Sequence, residues 1–341
     1  MCFFWTKKLC WILIMGIPLL LLGSQAAYSQ QLPKDDSDRQ GFQIGVDVDQ
    51  VFLSVNARSK YGGFVEGLGK EEFRVFESGV EQQIVNFYSQ GMPVQVVLLI
   101  DVSGSTRRAQ SEISKAAMGF AASLESEDQI SVVTFSDDPR LILNWTNDIQ
   151  RVTSALHSIY AKGATVLHDA LYVVFDDLLR DVEGKKAVII LTDGIDTGSM
   201  VGQAEVMQLA VRSETIVYVV SKLEEYWAGA IAARAQLHSQ SRWIPEVLKD
   251  SFILEARQFL ERLAQRTGGK ILSAQDFSTL RDVYRQVAEE LKNQYYISYI
   301  SSNIMKDGRW REIEVRTQRR EVEVNTRPGY YAPLESGQTD Q

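Results

Sequence analysis

"VVLLIDVSGS", residues 96–105, runs five consecutive apolar side chains directly into an aspartate and two serines. An uninterrupted Val/Leu/Ile run of this length reads as a strand buried on both faces, as in parallel sheets covered by helices. Asp101 marks the end of that strand, and Asp101, Ser103 and Ser105 set three oxygen-bearing side chains at alternate positions. Taken alone, this is a strand end followed by residues suited to capping a helix. The rest of the chain decides whether it is more.

Working outward, five further strand-like runs follow: "QISVVTF", "LILNW", "KAVIILT", "TIVYVV" and "KILSA". Between them, Ile113, Ala116, Ala117, Phe120 and Leu124 keep the i, i+3, i+4, i+7 spacing of an amphipathic helix. Ala256, Phe259, Leu260 and Leu263 form a second such face, closed by Gly268-Gly269, and Leu280, Val283, Tyr284, Val287 and Leu291 a third. Apolar strands alternating with helices predict an α/β fold with a doubly wound, mostly parallel sheet. "QISVVTFSDDPRLILNW" departs from that rhythm: a tight Ser-Asp-Asp-Pro turn joins two strands and predicts an antiparallel hairpin at the sheet edge.

The flanks carry a different pattern. Phe42, Ile44, Val46 and Val48 alternate with Gln43, Gly45, Asp47 and Asp49, the strand pattern continues through Val51, Leu53 and Val55, and "EEFRVFESGVEQQIVNFY" places strand-like runs on either side of Glu77-Ser78-Gly79. After residue 291 the chain returns to strands in "QYYISYI", "RWREIEVRTQ" and "EVEVNTRPGYY". These N- and C-terminal β segments are expected to pack into one sandwich. Residues 222–250 fit neither pattern. They carry Tyr226, Trp227 and Trp243, aromatic anchors of the kind found in interfaces or packed onto a core.

The N-terminus has the order of a secretory signal peptide: Lys7 and Lys8, an apolar run from Leu9 to Leu22, then small and polar residues. An uncleaved membrane anchor is the minority alternative, since the run is short for a span of about 20 residues. Cys2 and Cys10, the chain's two cysteines, both fall in this segment. The mature chain would have neither disulfides nor thiol nucleophiles, so its stability rests on its core. The boundaries expected are 1–30 signal peptide, 31–91 linker and β module, 92–291 α/β domain and 292–341 C-terminal β segment. Removing the first segment takes away only Lys7 and Lys8, moving the formal net charge from −8 to −10. Such acidity argues against nucleic acid or an anionic membrane surface as partner. Secretion, or residence in the periplasm or cell envelope, follows from the same reading, with membrane attachment only if the segment stays uncleaved.

In an open α/β sheet, ligands bind outside the carboxyl ends of the strands, where strand order reverses. Asp101 is expected at one such end and Asp193, in "VIILTDGIDTGS", at another, while "AKGATVLHDAL" sets Thr165 in a loop before a helix. Asp101, Ser103, Ser105, Thr165 and Asp193 can therefore converge. Two carboxylates and three hydroxyls, without His or Cys, make an all-oxygen set suited to Mg²⁺, Mn²⁺ or Ca²⁺. With only two negative charges, it leaves a bound cation able to take one more anionic oxygen.

Asp101-x-Ser103-x-Ser105, then Thr165, then Asp193-Gly194, resembles the metal-ion-dependent adhesion site of the von Willebrand factor type A domain. The element order from about 92 to 291 resembles that fold, edge hairpin included. "GLGKEEFRVFESGVEQQI" before it and "LKNQYYISYI", "DGRWREIEVRT" and "VNTRPGYYAP" after it are similar to a bacterial family of secreted relatives, so the resemblance spans nearly all of the mature chain. It implies that Ser103 and Ser105 ligate the cation directly, and that Thr165, Asp101 and Asp193 do so directly or through water. A Glu or Asp of a protein or matrix partner would complete the shell.

Each residue also has a plainer reading. Asp193-Gly194 is an ordinary strand-end turn if Asp101 is ignored. Asp169 and Asp196 are expected to cap or solvate, and His168 to be a solvated histidine at a helix start, with no nucleophile to serve. A metal-dependent phosphohydrolase is the enzymatic alternative. Phosphatases with a strand-end aspartate need a second acid two residues on, where this chain has Ser103, and neither a Gly-x-Ser-x-Gly elbow nor a P-loop occurs. A scaffold with a purely structural metal is the third. The favoured expectation is non-enzymatic, cation-dependent binding.

Overall fold

The computed structural model describes residues 50–89, 91–104, 110–160, 163–192, 194–221, 250–273 and 279–334. Ser105, Asp193, Tyr226, Trp227 and Trp243 lie outside the described residues, as does the N-terminal segment read as a signal peptide.

At the centre is a six-stranded sheet. Its strands are β5 (Val94–Asp101), β6 (Gln129–Phe135), β7 (Pro139–Thr146), β8 (Lys185–Thr192), β9 (Ile216–Ser221) and β10 (Lys270–Ser273). They lie in the order β10-β9-β8-β5-β6-β7. Pairings from β10 through β6 are parallel; β6 and β7 form the antiparallel edge hairpin, with Phe135 opposite Pro139. The opening stretch explains the layering. Val96, Leu98 and Ile100 of β5 enter one core and Val97 and Leu99 the other, all fully buried or nearly so. Burying each such side chain contributes about 1.5–3 kcal/mol, which fixes β5 between two helical layers.

On one face lie α1 (Gln110–Ala121), α2 (Ile149–His157) and α6 (Leu280–Lys292), through Ile113, Phe120, Leu156 and Tyr284 among others. On the other lie α3 (Leu167–Tyr172), α4 (Gln203–Arg212) and α5 (Asp250–Arg266), through Leu171, Val206, Phe259 and Leu263. A π-helical stretch, Val173–Leu178, continues α3. Among the described residues no helix is long and apolar enough to cross a membrane.

The flanking strands are β1 (Gln50–Ser59), β2 (Phe73–Glu77), β3 (Val80–Gln82) and β4 (Ile84–Tyr88) before the α/β part. After it come β11 (Tyr295–Ile300), β12 (Trp310–Thr317), β13 (Val322–Asn325) and β14 (Gly329–Tyr331). They make two antiparallel four-stranded sheets, β13-β1-β11-β4 and β14-β12-β2-β3, each mixing strands from both ends of the chain. Val51, Leu53 and Val55 of the first sheet share a core with Phe73, Val75, Ile313 and Val315 of the second, as the period-two alternation predicts. The turn between β2 and β3 is two residues long, with Ser78 at φ 47° and Gly79 at φ 81°, the two positive angles a type I′ hairpin requires.

Glu290 of α6 ties these sheets to the α/β layers. Buried itself, it accepts hydrogen bonds from Asn56 Nδ2 (3.1 Å), Arg58 Nη2 (3.0 Å) and Tyr218 OH (2.9 Å), and pairs with Lys270. Burial pushes the Tyr218 hydroxyl well above its ordinary pKa, so it remains a donor to that carboxylate.

Candidate functional site

β5 has β6 on one side and β8 on the other, so the chain leaves β5 in one direction and returns beyond it in the other. The carboxyl ends of β5 and β8 therefore form the switch point where an open α/β sheet leaves a crevice. Asp101 ends β5 and is wholly buried, with 0% exposure. Its Oδ1 accepts from the Ser103 N–H (2.9 Å), a turn in which an Asp side chain holds the backbone two residues on. Its Oδ2 accepts from the Thr192 hydroxyl (2.9 Å), and Thr192 Oγ1 in turn accepts from the Gly194 N–H (2.9 Å). Asp101 thus fixes its own loop and, through Thr192, both neighbours of residue 193.

The loop carrying Thr165 is brought to the same place by backbone contacts. Gly104 N–H donates to Gly163 O (3.3 Å), and Val166 N–H donates to Ser136 O (3.0 Å) at the end of the edge hairpin. Ala164 N–H donates to Asp137 Oδ1 (2.7 Å). Gly163 sits at φ +84°, and a Cβ there would meet the Asp137 carboxylate at 2.3 Å, so this close approach needs glycine. Thr165 N–H donates to Thr197 Oγ1 (3.0 Å), while Thr197 N–H returns to Thr165 O (2.8 Å). Ser103 and Thr165 are buried, at 3% and 6% exposure.

Of the five residues expected to converge, the structure therefore assembles the segments of Asp101, Ser103 and Thr165 at one edge, and holds the strand end and glycine that bracket position 193. Ser105 and Asp193 themselves fall outside the described residues. Among the described residues no three His, Cys, Asp or Glu side chains gather to hold a metal. Three contributors escape the motif: Thr192, Asp137 and Thr197. Thr192 stands in the quoted "LTDG", but only strand pairing shows that its hydroxyl faces Asp101.

Asp169 and Asp196 brace the loop between β8 and α4, and Asp196 also accepts from the first turn of α3. Asp169 Oδ1 accepts from Met200 N (2.9 Å) and Val201 N (2.8 Å). Asp196 accepts from Gly198 N (3.2 Å), Ser199 N (3.0 Å), the Ser199 hydroxyl and His168 N (3.1 Å). Burial works against the Asp196 carboxylate, but the bonds from Ser199 and His168 outweigh it and hold its pKa below the usual range. His168 corrects the sequence reading. It does start a helix, but it is buried rather than solvated, because Phe259 of α5 meets its ring edge-on with centroids 4.7 Å apart. Burial pushes its pKa below the ordinary value, while Asp196, Asp169 and Glu255 pull it back up.

Residues 96–195 match the family model of the von Willebrand factor type A domain. Among curated proteins none matches the sequence. Among solved structures, the chain is similar to an aerotolerance-related membrane protein from Bacteroides fragilis, at 14% identity over 58% of this chain and 98% of that one, with TM-score 0.42. It is similar to von Willebrand factor type A from Catenulispora acidiphila, at 13% identity over 85% and 74%, with TM-score 0.43. A third likeness is to proximal thread matrix protein 1 from the mussel byssus, whose structure has a zinc-occupied MIDAS motif. Identity there is 14% over 63% and 50%, with TM-score 0.45.

Proposed function

Because the chain carries a von Willebrand factor type A domain, we propose that it is a non-enzymatic binding protein that captures a partner's carboxylate in a divalent-cation-dependent manner. The observation that carries this reading is the buried Asp101 carboxylate at the switch point, bonded through Thr192 to the turn around residue 193 and faced by the pinned Thr165 loop.

The donor set fits the cation the family implies. Asp101, Ser103 and Thr165 offer only oxygen, and Asp101 is oriented by two hydrogen bonds rather than left to rotate. Asp101, Ser103, Ser105, Thr165 and Asp193 would hold Mg²⁺, or Mn²⁺ or Ca²⁺. When bound, the ion supplies positive charge to an incoming Glu or Asp oxygen of a protein or matrix ligand. The chain's part is to hold its oxygens in place before the partner arrives, which lowers the ordering cost of capture. Among the described residues no nucleophile–base pair accompanies this set, and the proposal is therefore of binding without turnover.

In this proposal residues 1–30 direct export, 31–91 and 292–341 supply the β sheets, and 92–291 the binding domain of a secreted, periplasmic or envelope protein. Tyr226, Trp227 and Trp243 add aromatic contacts to the partner.

The test is capture from envelope extract or culture fluid on the immobilised chain, with and without EDTA. Capture lost in EDTA, restored by Mg²⁺ and absent in Asp101→Asn supports the proposal. Capture indifferent to chelator overturns it. Hydrolysis of p-nitrophenyl phosphate by the wild type but not the variant would favour the phosphohydrolase instead.

A further inference from the structure

Gly194 also lines a cavity of about 120 Å³ walled by His168, Asp196, Gln203, Phe252, Glu255 and Phe259. The walls come from the start of α3, the loop after β8, the first turn of α4 and the N-terminal half of α5. On a scale where about 10–15 Å³ admits one water, this space takes several waters or a short alkyl chain with a polar head.

The His168 residue is 9% exposed, and its imidazole makes no hydrogen bond among the described residues: Nδ1 stands 3.6 Å from Asp196 Oδ2. The side chain keeps 11% exposure, so the ring is reachable from the cavity. Among the described residues, the charged groups that act on this imidazole are the carboxylates of Asp196, Asp169 and Glu255. The oxygens of Asp196 are engaged by Gly198, Ser199 and the His168 N–H, so it contributes field rather than a free lone pair. On the rim, Arg262 Nη2 reaches Gln203 Oε1 at 3.5 Å, a long contact that an incoming donor can replace. Negative charge excludes an anion, and the carboxylates do not gather closely enough to hold a metal. Acids beside aromatic walls suit an organic cation.

We propose that this cavity is a binding subsite for an alkylammonium group, as carried by a lysine side chain or a free amine. The Glu255 carboxylate, Gln203 Oε1 and a neutral His168 nitrogen accept its N–H bonds, and Phe252 and Phe259 line its alkyl stem. The subsite shares Gly194 with the turn bonded to Asp101 through Thr192, but none of its accepting groups is one of the proposed cation ligands, and it needs no cation there.

The test is imidazole ¹H–¹⁵N NMR of the full chain in EDTA, titrated with n-butylammonium, its neutral isostere n-butanol, and Nα-acetyl-lysine methylamide. The chain has three histidines, so His168→Gln assigns the signal. The ammonium should shift His168 saturably while butanol at equal concentration does not. Glu255→Gln, an exposed helix substitution whose fold is checked by circular dichroism, should weaken binding about tenfold, the loss of one charge-assisted bond. Binding of the blocked lysine assigns a side-chain ligand; binding of the amine alone assigns a small amine, and either supports the subsite. Equal shifts with butanol, no shift with butylammonium, or unchanged affinity in Glu255→Gln overturns it. Repeating the titration in Asp101→Asn separates this subsite from the cation reading, because the shift should persist there even if cation binding is lost.

Discussion

Replacing Thr192 with valine tests whether the strand-end hydroxyl organises the site. Val has nearly the shape of Thr, so packing at this fully buried position is kept while two hydrogen bonds vanish. One is donated to Asp101 Oδ2 at 2.9 Å and the other accepted from Gly194 N–H at 2.9 Å. A hydrogen bond to a charged group contributes about 1.5–3 kcal/mol, and a buried N–H left without its acceptor costs about 1–3 kcal/mol. The expected loss is roughly 3 kcal/mol, less than the sum because the loop can relax. Thr192→Ser keeps the hydroxyl and removes one buried methyl, a loss of about 1 kcal/mol. Urea denaturation of the three proteins, with equal m-values required, gives the comparison. The valine variant should fall about 2 kcal/mol below the serine variant and bind Mn²⁺ more weakly than it. Equal stabilities for the two would refute the chain of bonds from Gly194 through Thr192 to Asp101.

Three further outcomes are expected. Gly163→Ala places a Cβ against the Asp137 carboxylate at positive φ, so it should cost about 1–2 kcal/mol by urea titration and also weaken cation binding. Glu290→Ala leaves the buried Tyr218 hydroxyl and Asn56 Nδ2 without their shared acceptor, while Arg58 and Lys270, 39% and 31% exposed, can turn to water, so it should cost about 2–4 kcal/mol; a loss below 1 kcal/mol would show that the sheets are not tied through this carboxylate. Burial lowers the Lys185 pKa from 10.5 to about 8, Asp128 and Glu125 offsetting part of the effect, so between those values the unfolded chain binds more protons than the folded one. Stability of the wild type relative to Lys185→Met should therefore rise with pH across that window, by about 1.4 kcal/mol per unit and up to about 3 kcal/mol, and urea midpoints from pH 7.5 to 10.5 measure it.

The parts of this fold that sequence makes legible are those set by local pattern. β5 reads from five apolar residues because both its faces are buried, and the edge hairpin reads from Ser-Asp-Asp-Pro because turn chemistry is local. The placement of Asp101 and Ser103 at the end of β5 is legible for the same reason, and they read as candidate site residues because a strand end in such a sheet faces a crevice. What escapes the sequence depends on register and long-range packing. Thr192 meets Asp101 only because β8 pairs with β5 such that Leu191 lies opposite Ile100. Asp137 holds Ala164 across 27 residues, and no spacing rule points to that bond. His168 looks like a surface helix start until Phe259, far along the chain, packs on its ring. The π-helical continuation of α3 at Val173–Leu178 carries no breaker that would announce it.

The central claim is that Asp101 belongs to a divalent-cation site, and Mn²⁺ binding followed by electron paramagnetic resonance tests it most directly. The full chain should take up one Mn²⁺, displaced by excess Mg²⁺, and Asp101→Asn, shown to be folded by circular dichroism, should lose at least about 1.4 kcal/mol of that affinity, a tenfold change. Undiminished, Mg²⁺-competable binding of one Mn²⁺ to the folded Asp101→Asn variant would contradict the account.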